Sequence, residues 1–124
     1  MLSQSTHSTP GLLGILPFTI PNFLGHAGFR AAQPGDVFVT NDPWLASGHL
    51  IDITVATPVF QRGQLVAYVL VVVHHLNVGG RLATLESRDV YEEGLKIPIV
   101  RLYRSGEPEE SVFEFIRANV REPD

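Results

Sequence analysis

The sequence predicts an α+β fold, a mixed sheet with a central β-hairpin and flanking helices, forming part of a larger subunit. Three observations predict it. Residues 50–60 and 64–75 are two runs rich in β-branched side chains on either side of a two-residue turn, Arg62-Gly63. Residues 108–121 carry apolar side chains at helical spacing. The charges are unevenly spread: up to Gly80 only Arg30, Asp36, Asp42, Asp52 and Arg62 are charged, and the other seventeen fall from Arg81 onward. A free-standing domain spreads charge over its whole surface. The front of the chain therefore reads as interior or interface, and residues 1–124 as one partial domain without an internal boundary.

Taken in order, residues 11–20 are apolar but interrupted by Pro17. Pro21 can open a short helix, with Leu24, Ala27, Gly28 and Ala31 on one side. Pro34-Gly35 signals a turn, Val37–Thr40 a strand, and residues 41–48 a loop, since Asn-Asp-Pro and Ser-Gly resist regular structure. Pro58 implies an edge or a bulge near the end of the first hairpin strand. Gly79-Gly80 ends the second. Residues 84–93 read as a helix capped by Thr84 and closed by Gly94. Residues 97–103 read as a short strand before a Ser105-Gly106 turn. In the last helix Pro108 sits near the first position, and Val112, Phe113, Ile116 and Val120 form the buried stripe.

Composition excludes several functions. With 124 residues the chain is too short for a two-domain enzyme. At 44% hydrophobic it is globular rather than disordered. A net charge of −4 argues against nucleic acid and anionic membrane as partners. Without cysteine there is no disulfide, thiolate metal site or cysteine nucleophile. Any metal must be held by His, Asp, Glu, Asn or backbone oxygen. The longest apolar run, residues 65–73, is too short to cross a bilayer. The start lacks the basic residues of a secretory leader, so a cytoplasmic location is expected.

Three of the five histidines fall at the open end of the hairpin. If Arg62-Gly63 is the tip, Gln61 faces Gln64 and paired numbers sum to 125. His49 and His74 are then diagonal neighbours on one face, roughly 7–8 Å apart between backbones. Asp52 and His75 lie on the other. One bulged residue shifts the sum to 124 and brings Asp52 and His74 onto the same face. Joint use of His49 and Asp52 needs a bend near Gly48, which glycine permits. Two imidazoles and a carboxylate suit a divalent cation with open positions for water or substrate. The same residues would also serve as half-buried histidines around a hydrogen-bonded Asp. Asp42, in Asn41-Asp42-Pro43, is either a base or the cap of a turn. Trp44 either walls a pocket or anchors its loop.

The runs Gly35-Asp36-Val37-Phe38-Val39-Thr40-Asn41-Asp42-Pro43-Trp44 and Gly48-His49-Leu50-Ile51-Asp52-Ile53-Thr54 resemble the hydantoinase B/5-oxoprolinase family. His74-His75, Gly79-Gly80, the stretch from Arg88 to Pro98 and Ala118-Asn119-Val120-Arg121 continue the resemblance. It covers nearly the whole chain after the first ten residues, as an internal piece of a longer subunit. Ile51 and Asn77 depart from the family's pattern, and Asn77 receives no acid–base role.

The resemblance implies a B-type subunit, or a piece of one, working with an A-type subunit or domain that uses ATP to phosphorylate the substrate. The activity implied is ATP-dependent hydrolysis of a cyclic amide such as a hydantoin, 5-oxoproline or a lactam. The alternatives are a ketone carboxylase of the acetone or acetophenone type, or a truncated product without activity of its own. The His-x-x-Asp pattern with a later His that the carboxylase relatives use maps onto His49, Asp52 and His74 as ligands of a divalent metal (Zn, Mn or Fe). His75 and Asp42 are the candidate proton carriers, and a hetero-oligomer is expected.

Overall fold

The computed structural model describes residues 4–7, 9–81 and 86–123. Nine elements follow in order: α1 (Pro10–Gly25), α2 (Ala27–Arg30), β1 (Val37–Thr40), β2 (Asp52–Gln61), β3 (Gln64–His74), α3 (Val90–Glu93), β4 (Val100–Arg104), β5 (Glu107–Pro108) and α4 (Glu110–Arg117). The strands form one sheet in the order β3-β2-β1-β4-β5. The α+β class holds. The sheet is antiparallel at each of its four pairings rather than mixed: β2 and β3 form a hairpin, and the long β3–β4 connection, which carries α3, crosses past β2 and β1 to set β4 antiparallel beside β1.

The hairpin forms as its turn dictates. Arg62 and Gly63 both take positive φ, 52° and 78°, the left-handed pair that matches strand twist. Gln61 pairs with Gln64 and Phe60 with Leu65, but Val59 pairs with Ala67. The extra residue, Val66, lies in β3 and not in β2. Beyond it paired numbers sum to 126 instead of 124, and Asp52 pairs directly with His74. A bulge near Pro58 is therefore present, but on the opposite strand from the one that the proline marks.

One face of the sheet carries Phe38, Ala56, Tyr68 and Leu70 under α1 and α2. Phe29 sits at the centre, with ring centroids 5.3 Å from Phe23, 5.2 Å from Phe38 and 5.1 Å from Tyr68. Aromatic contacts of this spacing dominate core energetics. The helix expected at Pro21 begins at Pro10 and runs through both Pro17 and Pro21. Each proline removes a helical hydrogen bond, and burial of Thr19 and Phe23 on the core side offsets the loss. The Arg30 guanidinium donates to the carbonyls of Leu24 and Gly25, satisfying the end of α1. On the other face α4 packs Phe113 against Tyr103 at 5.6 Å.

Two helix expectations change. Pro108 lies in β5, because the Ser105-Gly106 turn (φ 50° and 90°) folds residues 107–108 back onto β4 before α4 can start. Of residues 84–93, Val90–Glu93 are helical, capped by the Asp89 carboxylate, which accepts from the Tyr91 and Glu92 amides. Thr84 lies outside the described residues. Among the described residues no helix is long and apolar enough to cross a membrane.

Candidate metal centre

The open end of the hairpin gathers three of the predicted side chains. Asp52 begins β2 and His74 ends β3 directly opposite it. His49 reaches them from a tight turn just before β2. Gly48, with φ 94°, lets the chain enter that turn, and the Asp52 amide closes it on the His49 carbonyl at 3.4 Å. The bend turns His49, which a straight strand would point away, back onto the Asp52 side.

His49 Nε2 lies 3.1 Å from Asp52 Oδ2, and His74 Nδ1 lies 2.9 Å from Asp52 Oδ1. The two imidazole rings meet edge to face at 6.1 Å. The Asp52 side chain is 3% exposed, whereas those of His49 and His74 are 46% and 53% exposed. Among the described residues no Lys or Arg pairs with this carboxylate; its ion-pair partners are the two imidazoles. A buried carboxylate without a fixed cation is costly. A protonated imidazole or a bound cation would neutralise it.

The donors fit a divalent cation by their chemistry: two imidazole nitrogens and one carboxylate is a common ligand set. As they stand the nitrogens address two different carboxylate oxygens. Among the described residues no three His, Asp or Glu side chains form a ready cation cage. Cation binding would therefore exchange the Asp–His hydrogen bonds for ligand bonds by small side-chain rotations.

A cleft of about 470 Å³ opens beside the triad, with Ile53, His74, His75, Asn77, Leu95 and Ile97 among its lining residues. The His75 amide donates to the Ile51 carbonyl at 2.6 Å, locking the end of β3 to the His49 turn. Asn77 caps the next turn by accepting from the Gly79 amide. Asp42 stands apart from the triad. Its Oδ1 accepts from the Trp44 amide at 3.0 Å, and its Oδ2 lies 3.5 Å from Lys96 Nζ. Trp44 is 88% exposed, so it neither walls a pocket nor anchors its loop in this chain.

Sequence reasoning missed Asn41, which is fully buried and bonds three separate backbone groups. The signal was available: an Asn beside a strand end, in a motif that a turn alone would explain. It also missed Thr54, the next residue along Asp52's face, whose buried hydroxyl has no partner among the described residues.

The family model described as Hydantoinase B/oxoprolinase matches residues 1–124. The B-type subunit of a putative D-/L-hydantoinase from Pseudomonas sp. (strain NS671) is 29% identical over 98% of this chain and 22% of its own. The crystal structure of the ATP-dependent caprolactamase from Pseudomonas jessenii superposes with a TM-score of 0.71 at 32% identity, over 83% of this chain and 19% of that one. A nucleotide-free acetone carboxylase structure also superposes with a TM-score of 0.71, over 86% of this chain and 14% of that one. At 20% identity that likeness speaks to the fold alone. The chain spans less than a quarter of the length of these relatives.

Proposed function

The chain belongs to the hydantoinase B/oxoprolinase family, and from that premise we propose that it is the cation-binding part of a B-type subunit in an ATP-dependent cyclic amidohydrolase. The observation that carries this reading is the buried Asp52 carboxylate, held between two imidazoles and paired with no Lys or Arg among the described residues. The similarity to an ATP-dependent caprolactamase supports a cyclic amide as the substrate class.

A ring amide is a poor electrophile. Phosphorylating its carbonyl oxygen, in an ATP-binding A-type partner, turns that oxygen into a leaving group. The activated ring then sits in the cleft beside His74 and His75. His49, Asp52 and His74 would hold the cation, which when bound would supply Lewis-acid chemistry by acidifying water. His75, on the cleft wall, would take a proton from the water that adds to the activated carbon and return it to the ring nitrogen as the C–N bond breaks; a second water then hydrolyses the resulting acyl phosphate, releasing phosphate. Asp42 is already engaged by the Trp44 amide and Lys96, and shapes the loop before the triad.

The test uses the full-length complex with its ATP-binding partner, offered hydantoin, 5-oxoproline and a lactam. Wild type should release phosphate and open a ring only with ATP. His49→Ala and Asp52→Ala should lose bound cation and ring opening together. His75→Ala should keep the cation and slow hydrolysis by about 10²-fold or more. Unchanged metal content and rate in the first two variants would refute the proposal.

A further inference from the structure

Asn41 ties the candidate centre to the core. Its Nδ2 donates to the Leu50 carbonyl at 2.8 Å and to the Leu95 carbonyl at 2.9 Å, and its Oδ1 accepts from the Ile97 amide at 2.6 Å. An amide side chain offers two N–H donors and an acceptor, so one orientation alone serves these three groups. The Asn41 side chain and Leu50 are both fully buried.

The position of these partners gives the side chain its consequence. Leu50 lies between His49 and Asp52, in the turn that aims His49. That turn is held internally by long bonds: it is entered through a left-handed glycine, its own backbone bond is 3.4 Å, and the Ser47 hydroxyl donates to the Asp52 carbonyl at 3.3 Å. Leu95 and Ile97 line the same cleft as His74 and His75. A single buried amide thus ties the Leu50 peptide to the Leu95 and Ile97 backbone that lines the cleft.

We propose that Asn41 is a positioning residue for the cation centre: it holds the Gly48–Asp52 bend so that His49 faces the same point as Asp52 and His74. The inference rests on the cation reading above. Groups that orient metal ligands typically cost 10–100-fold in affinity when removed.

The probe is cobalt(II), titrated into the full-length protein and followed by its visible spectrum, with circular dichroism to verify folding. Asn41→Asp keeps volume and acceptor but sets an oxygen against two carbonyls. Asn41→Ala, which leaves room for water, is the second variant should the first not fold. The control is Thr40→Val, which removes a buried 2.8 Å bond to the neighbouring Ile97 carbonyl and a 3.2 Å bond from the Asp42 amide without touching Leu50. Folded Asn41 variants should bind cobalt at least about tenfold more weakly and with an altered spectrum. Thr40→Val should lose stability yet keep affinity and spectrum. Unchanged binding in the Asn41 variants, an equal loss in Thr40→Val, or loss of fold in both Asn41 variants would overturn the positioning role. No cobalt on wild type would overturn the cation reading itself.

Discussion

Replacing Asp52 by Asn separates a cation site from a purely structural hydrogen-bond pair, because the two give opposite signs. The Asp52 side chain is 3% exposed and its partners are two imidazoles at 2.9 and 3.1 Å. Burying a carboxylate without a fixed cation costs several kcal/mol. The two hydrogen bonds to it return about 1.5–3 kcal/mol each. Asn fits the same space and serves both rings, its Oδ1 accepting from one and its Nδ2 donating to the other. Neutral bonds are about half as strong, so the exchange forfeits about 1 kcal/mol per bond and removes the desolvation penalty. In chelator the variant should be more stable than wild type by about 1–3 kcal/mol. At a cation concentration of 100 Kd wild type gains about 2.7 kcal/mol and the variant nothing, so the gap closes or reverses. Urea denaturation of both proteins, in chelator and in zinc or manganese, reads all four stabilities. A variant less stable than wild type in chelator by more than about 1 kcal/mol would mean the Asp–His pairs are structural. An equal response to cation in both would refute the site.

The remaining predictions concern the frame around the centre. Asp36 is 1% exposed, accepts from the Gln33 and Ser105 amides and lies 3.4 Å from Arg101 Nε. Asp36→Ala should cost about 3–5 kcal/mol by urea denaturation, since it strands a half-buried guanidinium, while folded protein keeps its cobalt affinity. At Gly80 (φ 54°) a Cβ would meet the Glu93 backbone, so Gly80→Ala should destabilise by more than about 1 kcal/mol. A neutral result would mean that residues 80 and 93 are not held together. Arg62→Asn should raise stability by up to about 1 kcal/mol, because Arg62 occupies the left-handed region that Asn tolerates better. No gain in the urea midpoint would show that the hairpin tip carries no strain.

The hairpin was legible because its signals are local. A tip with two left-handed residues, a proline beside the bulge and a uniform β-branched run need no tertiary knowledge. The site at its open end followed by counting back from the tip. Counting failed by one strand: the bulge is in β3, and nothing in the Leu65-Val66-Ala67 run marks which valine or alanine drops out of register. Packing demands a bulge, since Tyr68 and Leu70 reach Phe29 and the core only if the register shifts by one, but a bulge on either strand would achieve that. The same priority of packing over local preference explains α1. Pro17 and Pro21 argue for a break, yet Thr19 and Phe23 are buried only if the helix continues through them.

The supports of the site were less legible than its ligands, for a physical reason. A cation ligand must be an imidazole or a carboxylate, so His49, Asp52 and His74 stand out against a front half with few charges. A support needs only to satisfy backbone groups, and Asn does this in any ordinary turn. Asn41 bonds residues 9, 54 and 56 positions away, and no window along the sequence contains all its partners. The turn it holds is also the one place where strand geometry fails. His49 and Asp52 are three apart, a spacing that puts them on opposite faces of a strand and on one side of a turn. A His-x-x-Asp pair ahead of a strand therefore works as one site only if something outside the pair keeps the turn from straightening into β2. Here Gly48 permits the bend, the His75 amide holds Ile51, and Asn41 holds Leu50. Glycine and a backbone bond can come from many sequences. The buried amide is the member of this set that also ties the turn to Leu95 and Ile97.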